Sequence, residues 1–215
     1  MTQTPLRSVL DRLEKTGRTL TAVALWLLLG ATVGGLVFPA EPGIAAPGYH
    51  DLARPAAPVR LLVPSLHIDA PIVPIEVTGD TLDPPSNPRE VGWWRGSAKP
   101  GSFTGQTVIT GHTVHTGGGQ MDHLGSIKQG GIIKIVTPLD TMWYRETSVV
   151  VYSKEQLSRH AQDLFSQKRK HNRLVLITCT GWTGVEYTSN VIVFAKPLGV
   201  PNPKPHKSDK ARHQG

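Results

Sequence analysis

Cysteine is all but missing from this chain: 215 residues contain one, Cys179. That excludes a disulfide-stapled mini-protein and a cysteine-rich metal cluster. The 22 glycines and 18 prolines follow no three-residue period, so a collagen-like repeat is excluded too, and no other internal repeat is visible. A basic excess on the body of the chain is also lacking. The formal net charge is +7, but residues 1–18 hold +2 of it and residues 201–215 hold +3, which leaves +2 over the 182 residues between. A nucleic-acid-binding fold carries its positive charge on the folded surface, commonly beside aromatic side chains, so nucleic acid is not an expected partner.

The chain does have one long apolar run, residues 19–38, with no charge among 20 residues. That length crosses the hydrocarbon core of a bilayer as a helix, and a buried core helix would keep some polar face. Arg7, Arg12, Lys15 and Arg18 precede the run and Glu41 follows it. The positive-inside rule then expects a cytoplasmic segment 1–18, a transmembrane signal anchor at 19–38 and an extracellular remainder. A cleaved signal peptide is the alternative, with Phe38-Pro39-Ala40 and Ile44-Ala45-Ala46 as cleavage sites. Residues 39–58 are Pro- and Ala-rich and read as an extended, poorly packing spacer. Residues 59–200 are long enough for one core. They string together short β-like runs (VRLLV, PIVPIEV, QTVIT, GIIKIV, SVVVY, RLVLITC and NVIVFA) separated by turn signals. One helix is expected, about Lys154 to Gln167, from the spacing of Leu157, Ala161, Leu164 and Phe165. This predicts a mostly all-β fold, a small barrel or sandwich with short helices, followed by a disordered basic tail at 201–215.

Two strand ends carry residues capable of chemistry. Cys179 closes Arg173-Leu174-Val175-Leu176-Ile177-Thr178-Cys179 and is followed at once by Thr180-Gly181-Trp182. Without a partner in its own chain it is either a thiol kept free for reactivity or an ordinary buried side chain. His112 follows a parallel arrangement, Gln106-Thr107-Val108-Ile109-Thr110-Gly111, and a cysteine nucleophile needs a His that donates a proton to its leaving group. Metal binding competes for the same residues, because His112, His115 and His123 lie close together. Their loop is glycine-rich, however, and lacks i,i+4 helical spacing and a carboxylate pair, so no metal site is expected. Gly117-Gly118-Gly119 has no following Lys-Ser/Thr and reads as a mobile turn, not a phosphate cradle.

A strand ending in TGH, a later strand ending in LITC, a β-rich domain and an N-terminal anchor, in that set, resemble the sortases, membrane-anchored cysteine transpeptidases. The family's TLxTC motif is matched by Val175-Leu176-Ile177-Thr178-Cys179, departing only at its first residue. Leu82-Asp83-Pro84-Pro85-Ser86-Asn87-Pro88 followed by Val91-Gly92-Trp93-Trp94 is similar to the actinobacterial class E and F groups, class F foremost. The resemblance implies a closed sortase-type β-barrel with Cys179 as nucleophile and His112 as acid and base. It implies cleavage of an LPxTG-like sorting signal through a thioacyl enzyme, then transfer to an amine of a cell-wall (peptidoglycan) precursor or of another protein. No cofactor is implied; some relatives bind calcium, but no clustered carboxylates support that here. One departure stands out: the family's Arg on the next strand would fall at Asn190, or two residues earlier at Thr188, and neither is cationic. Arg95, Arg145 and Arg173 are the cations that could reach in from other strands. The missing Arg also leaves open a surface-anchored binding domain that has lost turnover.

Overall fold

The structure is a computed structural model and describes residues 43–79 and 81–204. Its strands are β1 (Tyr49–His50), β2 (Arg60–Val63), β3 (Ile68–Ile75), β4 (Val91–Trp94), β5 (Gln106–Gly111), β6 (Ile132–Val136), β7 (Thr141–Ser153), β8 (Arg173–Trp182) and β9 (Tyr187–Pro201). One α-helix, α1 (Lys154–Phe165), separates β7 from β8. The sheet runs β1-β9-β7-β6-β2-β3-β4-β5-β8, and β8 pairs back onto β9, closing eight strands into a barrel with β1 on its rim. Closure removes the exposed sheet edges that seven separate β runs would otherwise present.

Side-chain alternation with a period of two divides the chemistry of each strand between two faces. On β8, Leu174 and Leu176 enter the barrel core with Leu61, Ile109, Ile133, Tyr144 and Val193. Val175 and Ile177 face outward into a second apolar cluster with Val108, Leu164 and Ile192, packed by Leu157, Phe165 and Trp94. Helix α1 covers this outer face. A capping box starts it: the Ser153 hydroxyl accepts from Gln156 N–H at 3.2 Å, and the Gln156 side chain accepts from Ser153 N–H at 2.9 Å. The helix ends at Phe165, two residues before the predicted Gln167, whose side-chain Oε1 instead accepts from Ala98 N–H and Gln106 N–H.

Two pairings are parallel, β3 with β4 and β5 with β8. A parallel neighbour has to start at the same end as its partner, so the connection must travel back the length of the strands. Between β3 and β4 this is done by a loop without a helix, which carries Thr81–Pro85 across the outer face. Gln106, at the start of β5, is fully buried, and its Nε2 donates to the carbonyls of Asp163 and Ser166 at 2.9 Å each, satisfying acceptors that the end of α1 leaves open.

Residues 43–58, expected as a poorly packing spacer, lie on the barrel. Tyr49–His50 pairs with β9, Ala46 N–H donates to Leu198 O, and Leu52 is buried in the main core. The apolar run 19–38, its signal-peptide alternative, the cytoplasmic segment 1–18 and the tail from 205 onward lie outside the described residues. Among the described residues no helix is long and apolar enough to cross a membrane.

The end of α1 is tied to the start of β8 by Asp163, whose carboxylate accepts from Arg173 at 2.8 Å and from Arg169 at 2.9 Å. The Arg173 hydrogen bond holds this carboxyl below the usual carboxylate range. A depressed folded-state pKa stabilises the fold above the unfolded value of about 3.9 and loses that contribution as pH falls through the folded value. Asp163→Asn should therefore lower Tm by roughly 1–4 °C at pH 7, as expected for a half-exposed pair contributing about 0.5–1 kcal/mol. The difference from wild type should shrink as pH falls below about 4, read by calorimetry across that range; a deficit independent of pH would contradict the ion pair as its source.

Candidate active site

Cys179 continues the outward set of β8, two residues after Ile177 and at the end where the strand meets the β8–β9 hairpin. On β5 the outward set is Gln106, Val108 and Thr110, and the parallel register aligns Val108 with Val175 and Thr110 with Ile177. β5 ends at Gly111, one residue before His112, while β8 runs on through Cys179 to Trp182. On the other side, β9 is antiparallel to β8 and sets Asn190 directly opposite Cys179. The fold thus sets Asn190 opposite Cys179 and brings the end of β5, Thr110 and Gly111, which His112 follows, to the same cleft.

Thr178, pointing inward between the two outward residues, ties these strands together. Its buried hydroxyl donates to Gly111 O at 2.9 Å, and Thr113 Oγ1 lies 2.8 Å from it. The Thr178 proton is committed to the carbonyl, so the Thr113 hydroxyl is the donor of the second bond. This clasp fixes the residue before Cys179 against the residues on either side of His112. Gly111 itself admits no side chain, because a Cβ there would lie 2.9 Å from both Met121 Sδ and Val91 Cγ1.

In the resting chain the two reactive side chains are not hydrogen-bonded to each other. His112 Nε2 is engaged with Pro85 O at 2.8 Å, on the crossover loop between β3 and β4. Asn190 Nδ2 lies 3.9 Å from Cys179 Sγ, a long contact with sulfur as acceptor. Cys179 is half-buried, and that burial pushes its thiol above the usual cysteine range, while the Lys154 ammonium pulls the other way. Burial thus favours the neutral thiol over the thiolate.

The sulfur opens into a cleft of about 610 Å³ between the crossover loop and α1. Its apolar wall is Leu82, Leu157, Ala161, Phe165 and Ile177, and its polar groups include Asp83, Lys154, Cys179 and Asn190. A second depression of about 650 Å³ lies around the far half of α1, between Arg159 and His171, and is lined by polar and charged side chains without a cysteine.

Other residues singled out in the sequence lie elsewhere. Thr188 is exposed and its hydroxyl donates to Gly181 O at 3.1 Å, turned to the hairpin backbone and not to the sulfur. Gly181 has φ +75°, and a Cβ there would come within 2.6 Å of that hydroxyl, so glycine is required for the contact. The three arginines do not line the cleft. Arg95 pairs with Glu76 at 3.3 Å, Arg145 sits on the β7 pairing with β6, and Arg173 is held by Asp163 and Gln106 at the opposite end of β8 from Cys179. His115 stacks on Trp182 with ring centroids 4.1 Å apart, His123 precedes a 3-10 turn, and His112 is on Pro85. Among the described residues no three His, Cys, Asp or Glu side chains converge as metal ligands. The glycine turn at 117–119 is pinned by Asp122, which accepts from Val114 N–H at 2.7 Å and Gly119 N–H at 3.1 Å. Sequence reasoning missed Lys154, Thr178 and the Pro85 carbonyl. Lys154 carried the one local signal, a cation at the first position of a helix.

The closed eight-stranded barrel carries its one cysteine in a cleft, on a strand parallel to the one that His112 follows. The family model described as the Sortase domain matches residues 61–198. The chain belongs to the sortase family and is an enzyme of that kind, a cysteine transpeptidase. Among solved structures it is similar to sortase C-1 from Actinomyces oris, with TM-score 0.53 and 22% identity over 66% of this chain and 73% of that one. Sortase A from Corynebacterium diphtheriae gives TM-score 0.53 and 22% identity over 73% and 65% of the two chains. Sortase C from Streptococcus pneumoniae gives 0.53 and 18% over 67% and 68%. At these identities the likeness concerns the fold. No curated protein matches the chain significantly.

The Thr178 clasp gives a direct prediction. Thr178→Val leaves a buried carbonyl unpaired and should cost about 1–3 kcal/mol in urea denaturation, whereas Thr178→Ser should retain most of the stability. Equal losses for both would mean that the methyl group, and not the hydroxyl, holds the strands.

Proposed function

We propose that Cys179 is the nucleophile and His112 the proton carrier of a transpeptidation on a C-terminal, LPxTG-like sorting signal. The observation that supports this reading is the parallel pairing of β5 with β8, which brings Cys179 and the end of β5, just before His112, to one apolar cleft. Cys179 Sγ attacks the scissile peptide carbonyl and loses its proton to His112. The tetrahedral adduct collapses as the C–N bond breaks, and His112 protonates the departing amine, leaving a thioacyl enzyme. An amine of a peptidoglycan precursor or of another protein then attacks the thioester, gives its proton to His112 and releases the thiol. Water in place of that amine gives hydrolysis. For the imidazole to serve in these steps it must leave Pro85 O.

Asn190 Nδ2 is the neutral donor in the position where the family carries an Arg, and it supplies a hydrogen bond to the developing oxyanion. The cleft takes the apolar residues of the signal along Leu157, Ala161, Phe165 and Ile177. The segment 82–94 fits class F within the family. The N-terminal run 19–38 fits a single-pass anchor that holds the domain on the outer side of the cell membrane, where sorting-signal-bearing surface proteins are its substrates.

Cleavage of a fluorogenic sorting-signal peptide tests this. Cys179→Ala should abolish turnover, and His112→Ala should lower kcat/KM by about 10²-fold or more. Asn190→Ala should cost about 10²-fold in kcat with a smaller effect on KM. A folded wild-type chain that binds the peptide without cleaving it would favour the alternative, a surface-binding domain that has lost turnover.

A further inference from the structure

Asn190, opposite Cys179 on β9, offers a hydrogen-bond donor in the Arg position but no charge. Among the described residues, Lys154 is the only cationic side chain lining the cleft that holds Cys179 and Asn190. Its place is unfavourable for the helix that carries it. Lys154 is the first residue of α1, at the positive end of the helix dipole, where a cation costs a few tenths to about 1 kcal/mol and an acidic residue would be stabilising. A local rule broken beside a reactive group points to a use there. The ammonium is also held in place. Glu186, on the β8–β9 hairpin, accepts from Lys154 Nζ, although both side chains remain largely exposed at 63–64%.

We propose that Lys154 is the positioning cation of this site, whose positive charge favours the thiolate of Cys179 and takes over part of the role that an arginine on β9 would fill. The direction agrees with the thiol's surroundings, where burial raises its pKa and Lys154 opposes that rise. The other titratable groups around the sulfur are His112 at the end of β5, Asp83 on the cleft wall, Tyr187 on β9 with Asp122 beside it, and Glu186. Asp83, Asp122 and Glu186 disfavour a thiolate when ionised, and His112 favours it only when protonated. Lys154 is therefore the group that supplies a permanent positive charge near neutral pH.

This inference rests on Cys179 being the nucleophile, and its test needs no sorting signal. The rate of alkylation by iodoacetamide, followed against pH on the full chain, reads the thiol pKa directly. Lys154→Met should raise the midpoint by about half to one pH unit, and Lys154→Glu by more. Lys154→Arg should follow the wild type. In the Lys154→Met/Glu186→Gln double variant the midpoint should stay above wild type; a return to the wild-type value would assign the effect to Glu186 and overturn the proposal. Because the ammonium is exposed, salt near 1 M should move the wild-type midpoint toward that of Lys154→Met. An unchanged midpoint in the Met and Glu variants, or a wild type insensitive to salt, would overturn it as well. If the midpoint moves but no sorting peptide is cleaved, the substrate reading fails and the role of Lys154 stands; if peptide is cleaved with an immobile midpoint, the reverse holds.

Discussion

The parallel pairing of β5 with β8 is the constraint on which the site depends. Strands of opposite direction would bring the end of one to the beginning of the other, and the two reactive residues, each at the C-terminal end of its strand, would be separated by the length of the ladder. The parallel register aligns Thr110 with Ile177, so that the end of β5, which His112 follows, reaches the same end of the barrel as Cys179. The Thr178 clasp then resists slippage at the position where a one-residue shift would turn the thiol into the barrel core. Parallel pairing also dictates the long connections. The chain between β5 and β8 must return across the barrel, and it does so with β6, β7 and α1, whose apolar face becomes one wall of the cleft.

The same arrangement sets the electrostatics. Placing Cys179 on the outer face beneath α1 half-buries it, and burial favours the neutral thiol over the anion that reacts. The resting protein reinforces this neutrality, since His112 is held on Pro85 O and Asn190 brings a dipole without a charge. The charge that offsets the desolvation has to come across the cleft, and Lys154, at the start of the helix, is the cation in that position.

Seven of the strands and the single helix were legible in the sequence because alternation and helical spacing are local patterns, whereas the short strands β1 and β4 were not. The position of Asn190 was legible only through a family motif, and its contact with the sulfur required the β8–β9 register. Three features were out of reach for a physical reason: they depend on pairings between distant segments. The seating of residues 43–58 on the barrel needs β9 as a partner, which a Pro- and Ala-rich composition does not announce. The capture of His112 by Pro85 needs the crossover loop to return over the sheet. Thr188, on the same strand face as Asn190, could be set aside only once its hydroxyl was seen bound to Gly181 O. The arginines fell away likewise, each already held by a partner or a strand that a linear reading does not show.

The most direct measurement is the intact mass of the full chain quenched in acid shortly after mixing with an excess of sorting-signal peptide. A thioacyl enzyme predicts an added mass equal to the peptide lacking its leaving amine. The adduct should map to Cys179, disappear on treatment with hydroxylamine and be absent from Cys179→Ala. Cleavage of the peptide with no adduct at Cys179, or an adduct on any other residue, would contradict covalent catalysis by this thiol.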